Sequence, residues 1–166
     1  MVRMKWLVVG LLVVVLAAGA IVYFLPTEEK KVRRQFANLG KWLSKESGES
    51  AITMARHLQN IGTVFGETCE LEIPSYSVTG QVTREEISGY AARGRAQFSK
   101  LSVEFLDLKV VFPEQGLASV NVTAKVTGKT MLGETANEVH ELECHLKRVD
   151  KKWLFHGIKV VEVLKR

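Results

Sequence analysis

The 166 residues include 23 Lys and Arg, 18 Asp and Glu, and two Cys, with a formal charge of +5 at pH 7. Without Arg3 and Lys5, 21 basic against 18 acidic residues leave +3, too weak a balance for a nucleic-acid-binding surface. The cysteines show no Cys-x-x-Cys spacing and suggest no metal site; residues 26–166 suffice for one ordinary folded domain that buries about two-thirds of its unfolded surface.

The first element is an apolar run. Trp6 to Leu25 reads WLVVGLLVVVLAAGAIVYFL, with no charge, amide or hydroxyl except the Tyr23 phenol. As a helix rising 1.5 Å per residue it is about 30 Å long, the thickness of a bilayer's hydrocarbon core. Residues 1–25 are therefore expected to form a basic segment and a transmembrane signal anchor, and residues 26–166 the folded domain. The rival reading is a cleaved signal peptide, with Arg3 and Lys5 as its basic region and Ala18-Gly19-Ala20 as the cleavage site. Continuation through Ile21, Val22, Tyr23, Phe24 and Leu25 past that site favours an anchor that is kept.

Two basic residues precede the run, and five follow closely (Lys30, Lys31, Arg33, Arg34, Lys41), a balance that places the domain in the cytoplasm. Against it, a short basic N-terminus before a single span usually stays inside while a long domain translocates. The expectation adopted is a single-pass protein with its C-terminal domain extracytoplasmic, in the periplasm.

After Pro26, Thr27 caps a helix predicted over Glu28 to Ser44. Val32, Phe36, Leu39 and Leu43 fall on one face, and Lys30, Arg34, Lys41 and Lys45 on the other. The basic face is either solvated or in contact with anionic lipid head groups. Ser47-Gly48-Glu49-Ser50 ends the pattern, and Ser50 caps a second helix over Ala51 to Asn60, with Ile52, Ala55, Leu58 and Ile61 inward. His57 beside that stripe is expected to face water.

Cys69 to Ile73 reads as a short strand ended by Pro74, with Tyr76 to Thr79 as its hairpin partner. Thr83 followed by Glu86 forms a capping box, and Val82 with Ile87 a hydrophobic staple, so a third helix starts here. Its predicted stripe is Ile87, Tyr90, Ala91, Gly94 and Phe98. Along Leu101 to Phe112 the apolar positions switch from odd to even, as at a bulge. Leu117 to Lys129 alternates, with Val120, Val122, Ala124 and Val126 on one face. Glu134 to Val149 places Leu142, Cys144 and Leu146 together. Trp153 to Leu164 is apolar on both faces, which predicts a central strand, with Gly157 as a second bulge.

This order predicts an α+β fold: a cone of three helices packed on a curved, mainly antiparallel sheet, after one transmembrane helix. Gly80 with Thr83-Arg84-Glu85-Glu86-Ile87, and Asp150-Lys151-Lys152-Trp153-Leu154-Phe155 opening the last strand, carry a resemblance to the nuclear transport factor two-like, or SnoaL-like, family of the cystatin-like folds. The resemblance covers about Glu28 to Lys165. It implies a cavity between the helices and the concave sheet face, used by different members for small apolar ligands, for isomerase or dehydratase chemistry, or for protein contact. Members with one span before such a domain resemble inner-membrane components of secretion or transport assemblies.

Isomerase-like members need a carboxylate base near an oxyanion-binding Tyr and acid, and dehydratase-like members a His and Asp pair in the cavity. Here Asp150 lies in a turn and Asp107 beyond the phase switch. The remaining pocket candidates are Tyr76, Tyr90, Glu138, His140 and Trp153. Glu138 and His140 share a strand face, with Cβ atoms about 6 to 7 Å apart, reachable by side-chain bending or one water; they form either a base and its orienting partner or the solvated end of a strand. Cys69 and Cys144 are candidates for one disulfide in an oxidising compartment or for two buried thiols. Asn121-Val122-Thr123 matches a glycosylation sequon in mid-strand. No phosphate loop or metalloprotease motif occurs, and no cofactor is expected.

Two functions follow. One is a membrane-tethered, non-enzymatic binding or scaffold domain whose partners are the membrane, a protein or a second copy through the sheet face, or a small apolar ligand. The alternative is a cavity enzyme of the isomerase or dehydratase type. A cavity plugged by Phe36, Leu39, Phe98 and Trp153 favours the first, and a closed pocket around a desolvated carboxylate or His the second.

Overall fold

Three helices in this computed structural model, which describes residues 27–74 and 78–161, begin at hydroxyl side chains that satisfy otherwise orphaned amides. Helix α1 is Glu28–Leu43, with the Thr27 hydroxyl accepting from the Lys30 amide at 3.3 Å. Helix α2 is Ala51–Thr63, with the Ser50 hydroxyl accepting from the Thr53 amide at 3.2 Å. Helix α3 is Arg84–Ala96 and opens on the complete capping box: the Thr83 hydroxyl accepts from the Glu86 amide at 3.2 Å, and the Glu86 carboxylate from the Thr83 amide at 2.7 Å. Val82 and Ile87 are both 8 % exposed, as a staple requires.

The chain divides into a unit over Met1–Lys31 and a larger one over Val32–Arg166. Of the first, only Thr27 to Lys31 lies within the described residues, and there Lys31 pairs with Glu28 at 2.7 Å. The apolar run Trp6 to Leu25 lies outside the described residues. Among the described ones, no helix is long and apolar enough to cross a membrane.

Six strands form one mixed sheet: β1 (Phe65–Ile73), β2 (Val78–Thr83), β3 (Phe98–Val111), β4 (Leu117–Thr130), β5 (Thr135–Val149) and β6 (Lys152–Val161), in the spatial order β2-β1-β6-β5-β4-β3. Only the β1–β6 pair is parallel. The meander β3 to β6 follows the predicted alternation, and β6 sits between β1 and β5, as its two apolar faces require. Asp150 and Lys151 both have positive φ, the signature of a two-residue type I′ hairpin turn.

The phase switch in β3 is a bulge at Asp107, φ +54, where the register shifts between Leu106 and Lys109. The second bulge falls one residue before the predicted Gly157. His145 pairs with Gly157 and Leu146 with Phe155, which leaves His156 as the extra residue, its ring lying over the bare Cα of Gly66.

The core contains Val32, Phe36 and Leu39 of α1 with Val120, Val122, Cys144, Leu146, Trp153 and Phe155 of the sheet, none more than 4 % exposed. Gly40 permits the close approach of α1 to β3, since a Cβ there would lie 2.9 Å from the Val103 carbonyl oxygen.

Two predicted helix faces are corrected. Ile52 is 74 % exposed and Ala55 is exposed; α2 buries only its C-terminal turn, at Ile61 and Gly62. Helix α3 buries Ile87 and Arg95 rather than Tyr90 and Gly94, and Phe98 already belongs to β3. The cause is Arg95, whose partners turn that side of the helix inward.

The outer edge of β3 is closed by the chain itself. Lys45 and Leu101 exchange backbone hydrogen bonds at 2.7 and 2.9 Å, the Ser44 hydroxyl accepts from the Val103 amide at 3.0 Å, and Arg33 donates to the Leu108 carbonyl at 2.9 Å. Such contacts occupy edge groups that would otherwise template another strand.

Candidate functional site

The space between the helices and the inner sheet face is filled by aromatic rings. Phe36 stands edge-on to Phe105 and to Phe155, with centroids 5.5 and 5.0 Å apart, and Phe65 lies 5.3 Å from Phe155. Trp153, 2 % exposed, has its ring 5.6 Å from that of Phe112 and its carbonyl accepting from Gln35 at 2.8 Å. Trp153 is thus a core residue, and with Phe36 and Leu39 it plugs the cone; Phe98 is only half-buried.

A small open cleft remains beside the plug, between α1 and β3. Its volume is about 190 Å³, below the roughly 300–1,000 Å³ of typical ligand pockets. Phe36, Phe105 and Leu108 form its apolar lining and Arg33, Lys41 and Glu104 its charged one. The sequence signal for it was Gly40, a residue without a side chain inside an otherwise bulky stripe.

Glu138 and His140 are brought together directly: the carboxylate and the imidazole Nε2 are 3.0 Å apart without an intervening water. Opposite Val126 and Ala124, they stand on the same sheet face as Leu142 and Cys144. That end of the strand is open to solvent, with the two side chains 57 % and 40 % exposed.

Tyr90 is 42 % exposed and lies beneath the Arg93 guanidinium, 4.8 Å from the ring centroid, so the structure removes it from the pocket set. Tyr76 lies outside the described residues.

Of the basic residues expected to face lipid, Lys30, Arg34 and Lys41 are exposed on α1. Lys45 is not: its ammonium donates to the Phe98 carbonyl at 2.7 Å and the Arg95 carbonyl at 3.3 Å, inside the fold.

Arg95 anchors a buried cluster that the sequence reading missed. It is 2 % exposed, donates to the carbonyls of Trp42 and Ser44 at the end of α1, and pairs with Glu49, itself 6 % exposed. Glu49 also lies 3.0 Å from His57 Nδ1, which corrects the expectation that His57 faces water: its side chain is 19 % exposed. A guanidinium shared between a carboxylate and two helix-end carbonyls ties the α1–α2 connection to the end of α3. Its signal was a lone charge eight residues after Ile87, in line with Ala91.

Cys69 and Cys144 are free, each 1 % exposed. Burial pushes both thiols up to about 12, with Glu70 adding to the effect at Cys69, and Cys69 and then Glu143 at Cys144. The thiols flank β6 from β1 and β5, two strand spacings or about 10 Å apart, beyond the reach of a disulfide without backbone movement. Of the two readings of these cysteines, the structure has the two buried thiols and not the disulfide.

No family model and no curated protein matches the chain. Solved structures do. A scytalone dehydratase-like protein from Novosphingobium aromaticivorans superposes with a TM-score of 0.65 at 15 % identity, over 82 % of this chain and 85 % of that one. A protein from Kribbella flavida gives 0.67 at 10 % identity, over 81 % and 90 %. A hexachlorocyclohexane dehydrochlorinase, LinA type 2, gives 0.64 at 10 % identity, over 80 % and 83 %. At such identities the likeness establishes architecture alone. The chain thus has the nuclear transport factor two-like, SnoaL-type fold: three helices on a six-stranded mixed sheet.

Proposed function

We propose that this protein is a non-enzymatic binding or scaffold domain, held at a membrane by Trp6 to Leu25 with the domain on the extracytoplasmic side. The observation that carries the proposal is the filled cone: Phe36, Phe65, Trp153 and Phe155, none more than 3 % exposed, occupy the volume in which a cavity protein of this fold would hold a ligand. What remains for recognition is the exterior, including the α1–β3 cleft and the outer sheet face. That face carries paired polar groups, such as Thr123 with Glu141 at 2.8 Å and Lys159 with Glu72 at 3.0 Å, beside the exposed Val139 and Val161. Extraction in mild detergent, chemical cross-linking and mass spectrometry test the reading. A stoichiometric protein partner or a homodimer is expected, and a lone monomer without any cross-linked species refutes it. Protease cleavage of the domain in intact cells tests the membrane side.

The enzymatic reading has its own support. Two of the structural neighbours are named for dehydratase and dehydrochlorinase activities, and Glu138 with His140 forms a carboxylate–imidazole pair on the inner-face register. In that reading His140 acts as the base and Glu138 orients it, at the rim rather than inside the cone. Turnover of an apolar substrate that is lost in both Glu138→Gln and His140→Gln, with an unchanged melting temperature, would establish it.

A further inference from the structure

One end of the sheet carries an apolar rim set among lysines. The β3–β4 and β5–β6 turns place Val111, Phe112, Leu117 and Val149 there, 58, 41, 36 and 39 % exposed. Lys147 pairs across the ladder with Leu117, and Lys152 with Val149; Lys151 occupies the tight turn, and all three are exposed. Glu114 and Asp150 are the acidic residues of the two turns, so the lysines leave this end cationic as well as apolar.

The larger unit begins at the same end. Val32, fully buried, begins the larger unit; Arg33 reaches the Leu108 carbonyl and Gln35 the Trp153 carbonyl, both close in sequence to the rim. Strand β4 runs from Leu117 at the rim to Thr130 at the opposite end, a length of about 40 Å. The Met131–Leu132 turn lies at that far end of the sheet, with Leu132 88 % exposed.

We propose that the β3–β4 and β5–β6 turns dock on the head-group region of an anionic bilayer, Val111, Phe112, Leu117 and Val149 entering the interface and Lys147, Lys151 and Lys152 meeting lipid phosphates. The inference rests on Trp6 to Leu25 being a kept anchor, and it differs from contact through the basic face of α1, from which Lys45 is withdrawn. Exposed apolar groups among cations are the composition that binds at this depth, each lysine contributing about fivefold in the docked population.

The test uses the full chain in vesicles of phosphatidylcholine, with or without phosphatidylglycerol. Because Cys69 and Cys144 are buried, a fluorophore can be placed through Val149→Cys or Leu132→Cys. Expected is quenching of the label at position 149, but not at 132, by head-group nitroxide lipid. It should require the anionic lipid, weaken with salt, and fall roughly a hundredfold when Lys147, Lys151 and Lys152 are all changed to Gln. Chain that floats with vesicles but shows no quenching at 149 overturns the docking and leaves the anchor standing. Chain that fails to float overturns both. Protection at 149 that follows protein density rather than lipid charge assigns the rim to a second copy and likewise overturns it.

Discussion

Replacing Arg95 by Met keeps the aliphatic stem and removes the guanidinium. Glu49, 6 % exposed, then loses its strong cationic partner, and the Trp42 and Ser44 carbonyls lose their shared donor at the end of α1. Breaking one side of a buried ion pair destabilises a protein by about 3–5 kcal/mol, because the remaining charge stays desolvated. In a domain of this size that lowers the melting temperature by roughly 10 to 20 °C. Neutralising the partner as well, in Arg95→Met with Glu49→Gln, removes the stranded charge, so the double variant should lose at least about 1 kcal/mol less than the two single losses added together. Urea unfolding of the detergent-solubilised protein, followed by tryptophan fluorescence, measures all three variants. A single-variant loss below about 1 kcal/mol, or single losses that add to within about 0.5 kcal/mol, refutes the clamp.

Thr83→Ala removes the hydroxyl that caps α3 and should lower stability by about 1 kcal/mol in the same assay. The Thr83 amide and hydroxyl hold the Glu86 carboxyl below its usual range, so this contribution is present above the unfolded value near 4.5 and is lost as pH falls through the lower folded value. The acid-side decline in the urea midpoint should be shallower in Glu86→Gln, and an identical profile would count against it. Gly40→Ala forces a Cβ to within 2.9 Å of the Val103 carbonyl oxygen and should cost about 1–3 kcal/mol, seen as a lower melting temperature; an unchanged value would show that α1 can move off β3. Both thiols should resist alkylation at pH 8 in the folded state and give two adducts after unfolding in urea, whereas an intact mass two hydrogens short would reveal a disulfide.

The elements whose physics is local were legible in the sequence. Thr83 and Glu86 need only each other, and the alternation of Val120, Val122 and Ala124 needs only a buried face, so α3 and β4 start where predicted. A switch of phase could be read because a bulge moves every later side chain to the other face, but it falls at Asp107 rather than before Leu106, which is 43 % exposed. The failures came where distant partners decide. Arg95 was passed over because its partners lie on the distant α1–α2 connection, and its burial leaves Tyr90 outward. Lys45 looked solvated until its ammonium met the carbonyls of Arg95 and Phe98. The Glu138–His140 pair was legible from period-two spacing, whereas its exposure depends on where the helices end. The plugged cone was half legible: Phe36, Leu39 and Trp153 each announced burial, but the ring stacking through Phe65, Phe105 and Phe155 required the parallel closure of β1 on β6.

That closure also sets when the molecule can exist. Phe65 waits for Phe155, ninety positions later, and β6 joins the β1–β2 hairpin to the β3–β4–β5 ladder, halves that share no pairing of their own. A nascent polypeptide stopped before Lys152 therefore lacks the seam of its sheet and exposes both halves. Folding must wait until translation has delivered β6 beyond the ribosome, so prematurely ended copies are natural substrates for quality-control proteases.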